Sequence, residues 1–187
     1  RLVGARTRLI SELRWQLHDL WPDWEIPKRV LIQPGWQTKV TGRLSRAVKP
    51  VQVQIARDMI SRVRELTRTI TDLYEQLAGL VGQAAPQLLA ERGVGVLIAA
   101  KLIGEIAGIE RFTSDAQLAR LSGCAPIPVS SGRTDRHRLD PGGNRQLNHA
   151  FHMLARTKWM TDPQTALYIA KQRLNCKPNK EAVRSRK

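Results

Sequence analysis

Between Ala56 and Leu80 the chain reads ARDMISRVRELTRTITDLYEQLAGL. Ala56, Met59, Val63, Leu66, Ile70, Leu73, Leu77 and Leu80 recur at alternating spacings of three and four over more than three heptads. Apolar residues at that period form one seam on a helix, the pattern of a coiled coil, and the segment 52–81 is predicted to be one long helix. The seam has two possible partners. It can pair with a second copy of the chain, giving a homo-oligomer through the 56–80 heptads, or fold back on an earlier helix as an antiparallel hairpin. Heptads require a partner helix without saying whose it is.

Working outward, Leu9, Ile10, Leu13, Leu17 and Leu20 keep helical spacing and stop at Trp21-Pro22, where proline cannot continue a helix. This predicts a first helix over 2–20. Residues 21–50 form a connector broken by Pro22, Pro27, Pro34 and Gly35 and carrying Trp21, Trp24 and Trp36, with one or two short helices at most. After Gly82 and Pro86, a new helix carries Ala99, Ala100, Leu102, Ile103 and Ile106. A short helix follows near Ser114 to Leu121, with Ser114 as its cap. Another starts near Gly143 or Asn144, with Leu147, Phe151, Leu154 and Ala155 on its apolar face. The fold class is all-α: a helical, coiled-coil region over 1–85 and a small helical domain over 86–187.

The 187 residues hold Lys+Arg 31 against Asp+Glu 16, a formal net charge of +15. That excess calls for a polyanionic partner, nucleic acid first. The most apolar run, Val94 to Ile109, is interrupted by Lys101, Gly104 and Glu105, so no membrane span is expected. Cys124 and Cys176 lack the spacing of a disulfide framework or zinc site and are expected as free thiols. The chain opens at Arg1 within a helical pattern and closes on a basic run from Lys180 to Lys187; it reads as part of a longer protein.

Two features carry candidate chemistry. Gly93-Val94-Gly95 lies between two predicted helices and resembles a helix-hairpin-helix turn, whose backbone N–H groups at a helix start suit a phosphate. Glu91-Arg92 departs from that module, which more often has an apolar residue and a proline there. Lys101 follows on the next helix. The second feature is the loop Ser130-Ser131-Gly132, followed by Arg133, Arg136 and Arg138 and then by Gly142-Gly143-Asn144-Arg145. A hydroxyl that attacks a phosphate needs a small flexible backbone beside it and fixed cations around it. It also needs a proton acceptor, and the loop offers Asp135 and His137. A polar turn would use the same serines and glycine for purely conformational reasons. From Ser131 onward thirteen cations, Arg145, Arg156 and Lys158 among them, face four acids, so this part holds nine of the fifteen net charges. His149 and His152 lack an accompanying acid or thiol and read as surface or nucleic-acid contacts rather than metal ligands. Glu105, Glu110 and Asp115 read as surface or capping residues.

The order of heptad helix, Gly-Val-Gly hairpin, Gly123-Cys124-Ala125-Pro126 segment, serine loop and Gly-Gly-Asn-Arg helix start resembles the C-terminal half of the DEDD-type insertion-sequence transposases. These are recombinases of mobile elements guided by a bridge RNA. The resemblance spans roughly 52–175 and is most specific from Gly123 to Asn148. It implies a transposase C-terminal domain with Ser131, the serine before the glycine, as the nucleophile that links covalently to DNA. It implies DNA and a guide RNA as partners, and a cytoplasmic, nucleoid-associated setting in a bacterium or archaeon. Magnesium is implied in an N-terminal resolvase-like domain whose acids have no counterpart in this chain, which is therefore expected to bind no cofactor and to cleave poorly alone. The alternative is a non-catalytic basic helical module that uses the hairpin and arginines only to hold DNA or RNA.

Overall fold

The computed structural model describes residues 1–48, 50–130, 132, 137–138 and 140–174. Among them are eight α-helices and a single pair of two-residue strands, so the fold is mostly α, as expected. The chain divides into two compact units, Arg1–Gln76 and Leu77–Lys187.

In the first unit, α1 spans Leu2–Leu20, a 3-10 turn covers Val30–Ile32, α2 spans Pro34–Leu44, and α3 (Pro50–Ala84) begins. Pro34 and Pro50 each open a helix, where a residue without an N–H costs nothing. Leu13 and Leu17 of α1, Leu31, Val40 and Leu44 pack with Val53, Ala56, Ile60 and Val63 of α3 in one buried cluster. The front half of the heptad seam is thus taken up within the chain. Its buried stripe runs 53, 56, 60, 63, with Met59 only partly buried at its edge. Further along, Leu73 is 43% and Leu80 63% exposed.

The connector is ordered by side chains that periodicity does not reveal. Buried Gln37 donates from Nε2 to the carbonyls of Leu31 at 3.1 Å and Ile32 at 3.2 Å, fixing the 3-10 turn on α2. Arg14 donates to the carbonyls of Ile26 and Pro27. The Arg43 guanidinium lies over the rings of Trp21 and Trp24, at 4.9 and 4.5 Å from their centroids, and Trp24 stacks on Trp36. Such cation–π contacts stabilise a proline-rich segment that makes few backbone bonds of its own.

In the second unit, α4 spans Pro86–Ala90, α5 Val96–Ile106, α6 Asp115–Leu121, α7 Arg145–Thr161 and α8 Pro163–Leu174. The strands β1 (Ile127–Pro128) and β2 (His137–Arg138) pair antiparallel, Ile127 with Arg138 and Pro128 with His137. Helix α7 is the spine. Leu147 and Ala150 pack with Leu102 of α5, and Ala155 packs with Ile169 of α8. Ser114 precedes α6 as its N-cap residue but makes no side-chain bond there; instead the N–H of Thr113 donates to Gln117 Oε1 at 3.0 Å. No helix among the described residues is long and apolar enough to cross a membrane.

Candidate nucleic-acid interface and serine loop

The hairpin from Glu91 to Gly95 turns on Gly93, whose φ of +90° favours glycine. A Cβ at Gly93 would meet Leu154 and Thr157 of α7 at 3.4 Å, so the turn sits directly on the spine. Two polar ties hold it there. Lys158 pairs with Glu91, and Arg92 Nη1 donates to the carbonyl of Thr161 at 2.9 Å. Val94 is buried in the core with Val81 and Ala99. Gly95 precedes α5 as its N-cap residue, and Arg92 in the same turn is exposed.

The serine loop leaves α6 at Ser122 and returns at Asn144, and its two roots are locked together. Asn144 N–H donates to the carbonyl of Leu121 at 2.6 Å, and Cys124 and Ala125 N–H groups bond the carbonyl of Ala119. Gly143 lies so close to Gly123 that a Cβ on Gly143 would fall 2.2 Å from the Gly123 nitrogen. Asn148, one turn into α7, donates from Nδ2 to the carbonyls of Ser122 at 3.0 Å and Gly123 at 3.1 Å. Buried Asp140 accepts from the Gly142 N–H at 2.9 Å and pairs with Arg120 at 3.2 Å. Above this root the β1–β2 ladder, absent from the sequence reading, brings the two limbs of the loop together. The loop's next residues include Gly132, with φ +60°, and exposed Ser130.

A cleft of about 500 Å³ opens between α5 and α7, lined by Lys101, Arg145, Gln146, Asn148, His149 and His152. Arg145, His149 and His152 follow one another at helical spacing, and Lys101 faces them from α5. The lining carries two permanent cations, two imidazoles and no carboxylate, which suits an extended phosphate backbone.

The expected residues are distributed unevenly over this surface. Lys101 and Arg145 meet in the cleft, whereas Arg138 is exposed on β2 and Arg156 is exposed on α7, one turn beyond His152. Lys158 has its charge engaged by Glu91 and its side chain is 29% exposed. Ser131, Arg133, Asp135, Arg136 and Cys176 lie outside the described residues. Cys124 is a free thiol. Gln146 and Asn148 were not singled out by composition or spacing; for Asn148 the available signal was its place three residues beyond Arg145 on the same helix.

Residues 85–170, which contain the hairpin, the loop root and the cleft, match the sequence model of the transposase IS116/IS110/IS902 family. This segment is an IS116/IS110/IS902-family transposase domain. The chain is 32% identical over 131 residues to an uncharacterized 43.6 kDa protein of insertion element IS110 from Streptomyces coelicolor, covering 65% of this chain and 32% of that protein. It is 31% identical over 154 residues to an uncharacterized 42 kDa protein of insertion element IS900 from Mycobacterium paratuberculosis, covering 81% of this chain and 36% of that protein. A putative glutamate–cysteine ligase from Nocardia farcinica, a name from another chemistry, shares 32% identity over 111 residues, 57% of this chain and 28% of that protein. The chain thus spans about a third of the length of its insertion-element relatives. Within the transposase domain the loop root and the cleft share helix α7, whose first turn carries Arg145 and whose cap is Asn144.

Proposed function

We propose that the chain is the C-terminal part of a DNA transposase that binds DNA together with a guide RNA and supplies Ser131 as the nucleophile of strand cleavage and exchange. The observation that carries this reading is the serine loop's place inside the matched transposase segment, rooted between α6 and α7 beside a cleft that presents only cations and neutral groups. In this proposal the Ser131 hydroxyl attacks a backbone phosphorus. A bond forms between Oγ and phosphorus, the bond to the 3′ oxygen breaks, the serine gives up its proton, and the leaving oxygen takes one. The strand's 5′ phosphate is then held on the protein. Lys101 and Arg145 hold the flanking phosphates, and Arg133, Arg136 and Arg138 offset charge on the reacting one. Exposed Leu73 and Leu80 offer a surface for a second copy of the chain, and the assembled protein works in the cytoplasm on the nucleoid.

Magnesium belongs to this proposal only through acids elsewhere. Among the described residues no group of three or more His, Cys, Asp or Glu is placed to hold a metal ion; in this proposal the acids of an N-terminal resolvase-like domain hold it. The test is Ser131→Ala in the full-length protein. It is expected to abolish strand exchange while leaving DNA affinity nearly intact, and unchanged recombination would reject Ser131 as the nucleophile.

A further inference from the structure

Glu105 has no role in the proposal above, and a carboxylate one turn beyond Lys101 on α5 repels a polyanion. It is nonetheless tied to the loop root. Glu105 Oε2 accepts from Asn144 Nδ2 at 2.6 Å, across 39 residues of sequence. The other end of that amide is committed, because Asn144 Oδ1 accepts from the N–H groups of Gln146 at 2.9 Å and Leu147 at 3.1 Å. An amide has one acceptor end and one donor end, so this pattern fixes its orientation and leaves only the donor for α5. The Asn144 N–H meanwhile bonds the end of α6 at Leu121. One residue therefore caps α7, fastens the loop's returning limb to α6, and is gripped from α5 by Glu105.

We infer that Glu105 is a positioning residue, which holds Asn144 and through it sets where the serine loop stands over bound DNA. This rests on the reading of Ser131 as the nucleophile. Removing the carboxylate frees the Asn144 amide to rotate away from its cap and loosens one of the two roots. Asn148 still holds the other root from α7, so the fold survives while the loop loses its registration. Misplacing a reacting group by about 1 Å costs on the order of 100-fold in rate.

The experiment compares Glu105→Ala with Glu105→Gln by two readouts. In the full-length protein, the single-turnover rate of covalent protein–DNA adduct formation is measured as DNA is raised to saturation. In this 187-residue chain carrying Cys176→Ser, the rate of Cys124 labelling by a disulfide reagent is followed; Cys124 is half-buried at the root, its sulfur 3.9 Å from the Ser122 carbonyl oxygen. Glu105→Ala is expected to lower the saturated rate about 10- to 100-fold with the half-saturating DNA concentration unchanged, and to speed Cys124 labelling. Glu105→Gln, whose side-chain oxygen still accepts from Asn144, restores both. Wild-type rates and labelling in Glu105→Ala, or a Gln variant as impaired as the Ala variant, overturn the inference. Ser131→Ala is assayed alongside. If adducts persist in that variant, the nucleophile reading fails, and Cys124 labelling alone then decides whether Glu105 anchors the root.

Discussion

Gly143→Ala tests the loop root without any assumption about chemistry. A Cβ at this position would stand 2.2 Å from the nitrogen and 2.3 Å from the Cα of Gly123, and 2.8 Å from the carbonyl carbon of Ser122. All three are backbone atoms, so no rotamer change relieves the contact. The limbs must separate, and the bonds from Asn148 to the Ser122 and Gly123 carbonyls and from Asn144 to Leu121 separate with them. Overpacking in a well-fitted interior costs about 1–3 kcal/mol where side chains can yield. With rigid backbone on both sides the cost is expected above about 3 kcal/mol. For a domain of this size that is a fall of at least about 12 °C in Tm. Gly142→Ala is the control, because its Cβ would meet only Asp140 Oδ1, at 3.4 Å, and it should stay within about 0.5 kcal/mol of wild type. Thermal and urea unfolding followed by circular dichroism measure both. Equal stabilities for the two variants would refute the close approach of the loop limbs.

Two further outcomes follow from the same geometry. Replacing Lys101 and Arg145 together by alanine should reduce the salt dependence of DNA binding by roughly one in slope for each lost phosphate contact, measured by fluorescence anisotropy across a salt series; an unchanged slope would place the phosphates outside the cleft. The second concerns Asp162, which caps α8. Hydrogen bonds from the Thr165 side chain first, and then from the Thr165 backbone N–H, hold its carboxyl below the usual carboxylate range. A depressed folded-state pKa gives stability that is present above the unfolded value and lost as pH falls through the folded one. Asp162→Asn should therefore flatten the acid limb of a helicity titration below about pH 4, and coincident limbs for the variant and wild type would contradict this.

Helix positions were legible because apolar period and proline placement are local. The first helix falls at Leu2–Leu20, and the heptad helix extends to Pro50–Ala84. What the seam packs against was not legible, since Ala56 and Val63 satisfy either partner equally; only tertiary contacts put them on Leu13 and Leu17 of α1. Two of the three connector tryptophans acquire their role from Arg43, which no short-range pattern links to Trp21. In the candidate site the sequence showed the cations but not their engagements. Lys158 looks identical to Lys101 in a charge count, yet one faces Glu91 and the other a cleft. The root of the loop depends on pairs such as Glu105 with Asn144 and Gly123 with Gly143, which the fold brings together from distant positions. Glu105 in particular read as a surface residue because its partner is not on its own helix.

The most direct test of the central claim is to trap the full-length protein on a DNA substrate and map the covalent link by peptide mass spectrometry. A DNA-derived phosphate on Ser131 and no adduct in Ser131→Ala are expected. A link at Ser130 or any other residue, or an adduct that survives the substitution, would contradict that claim.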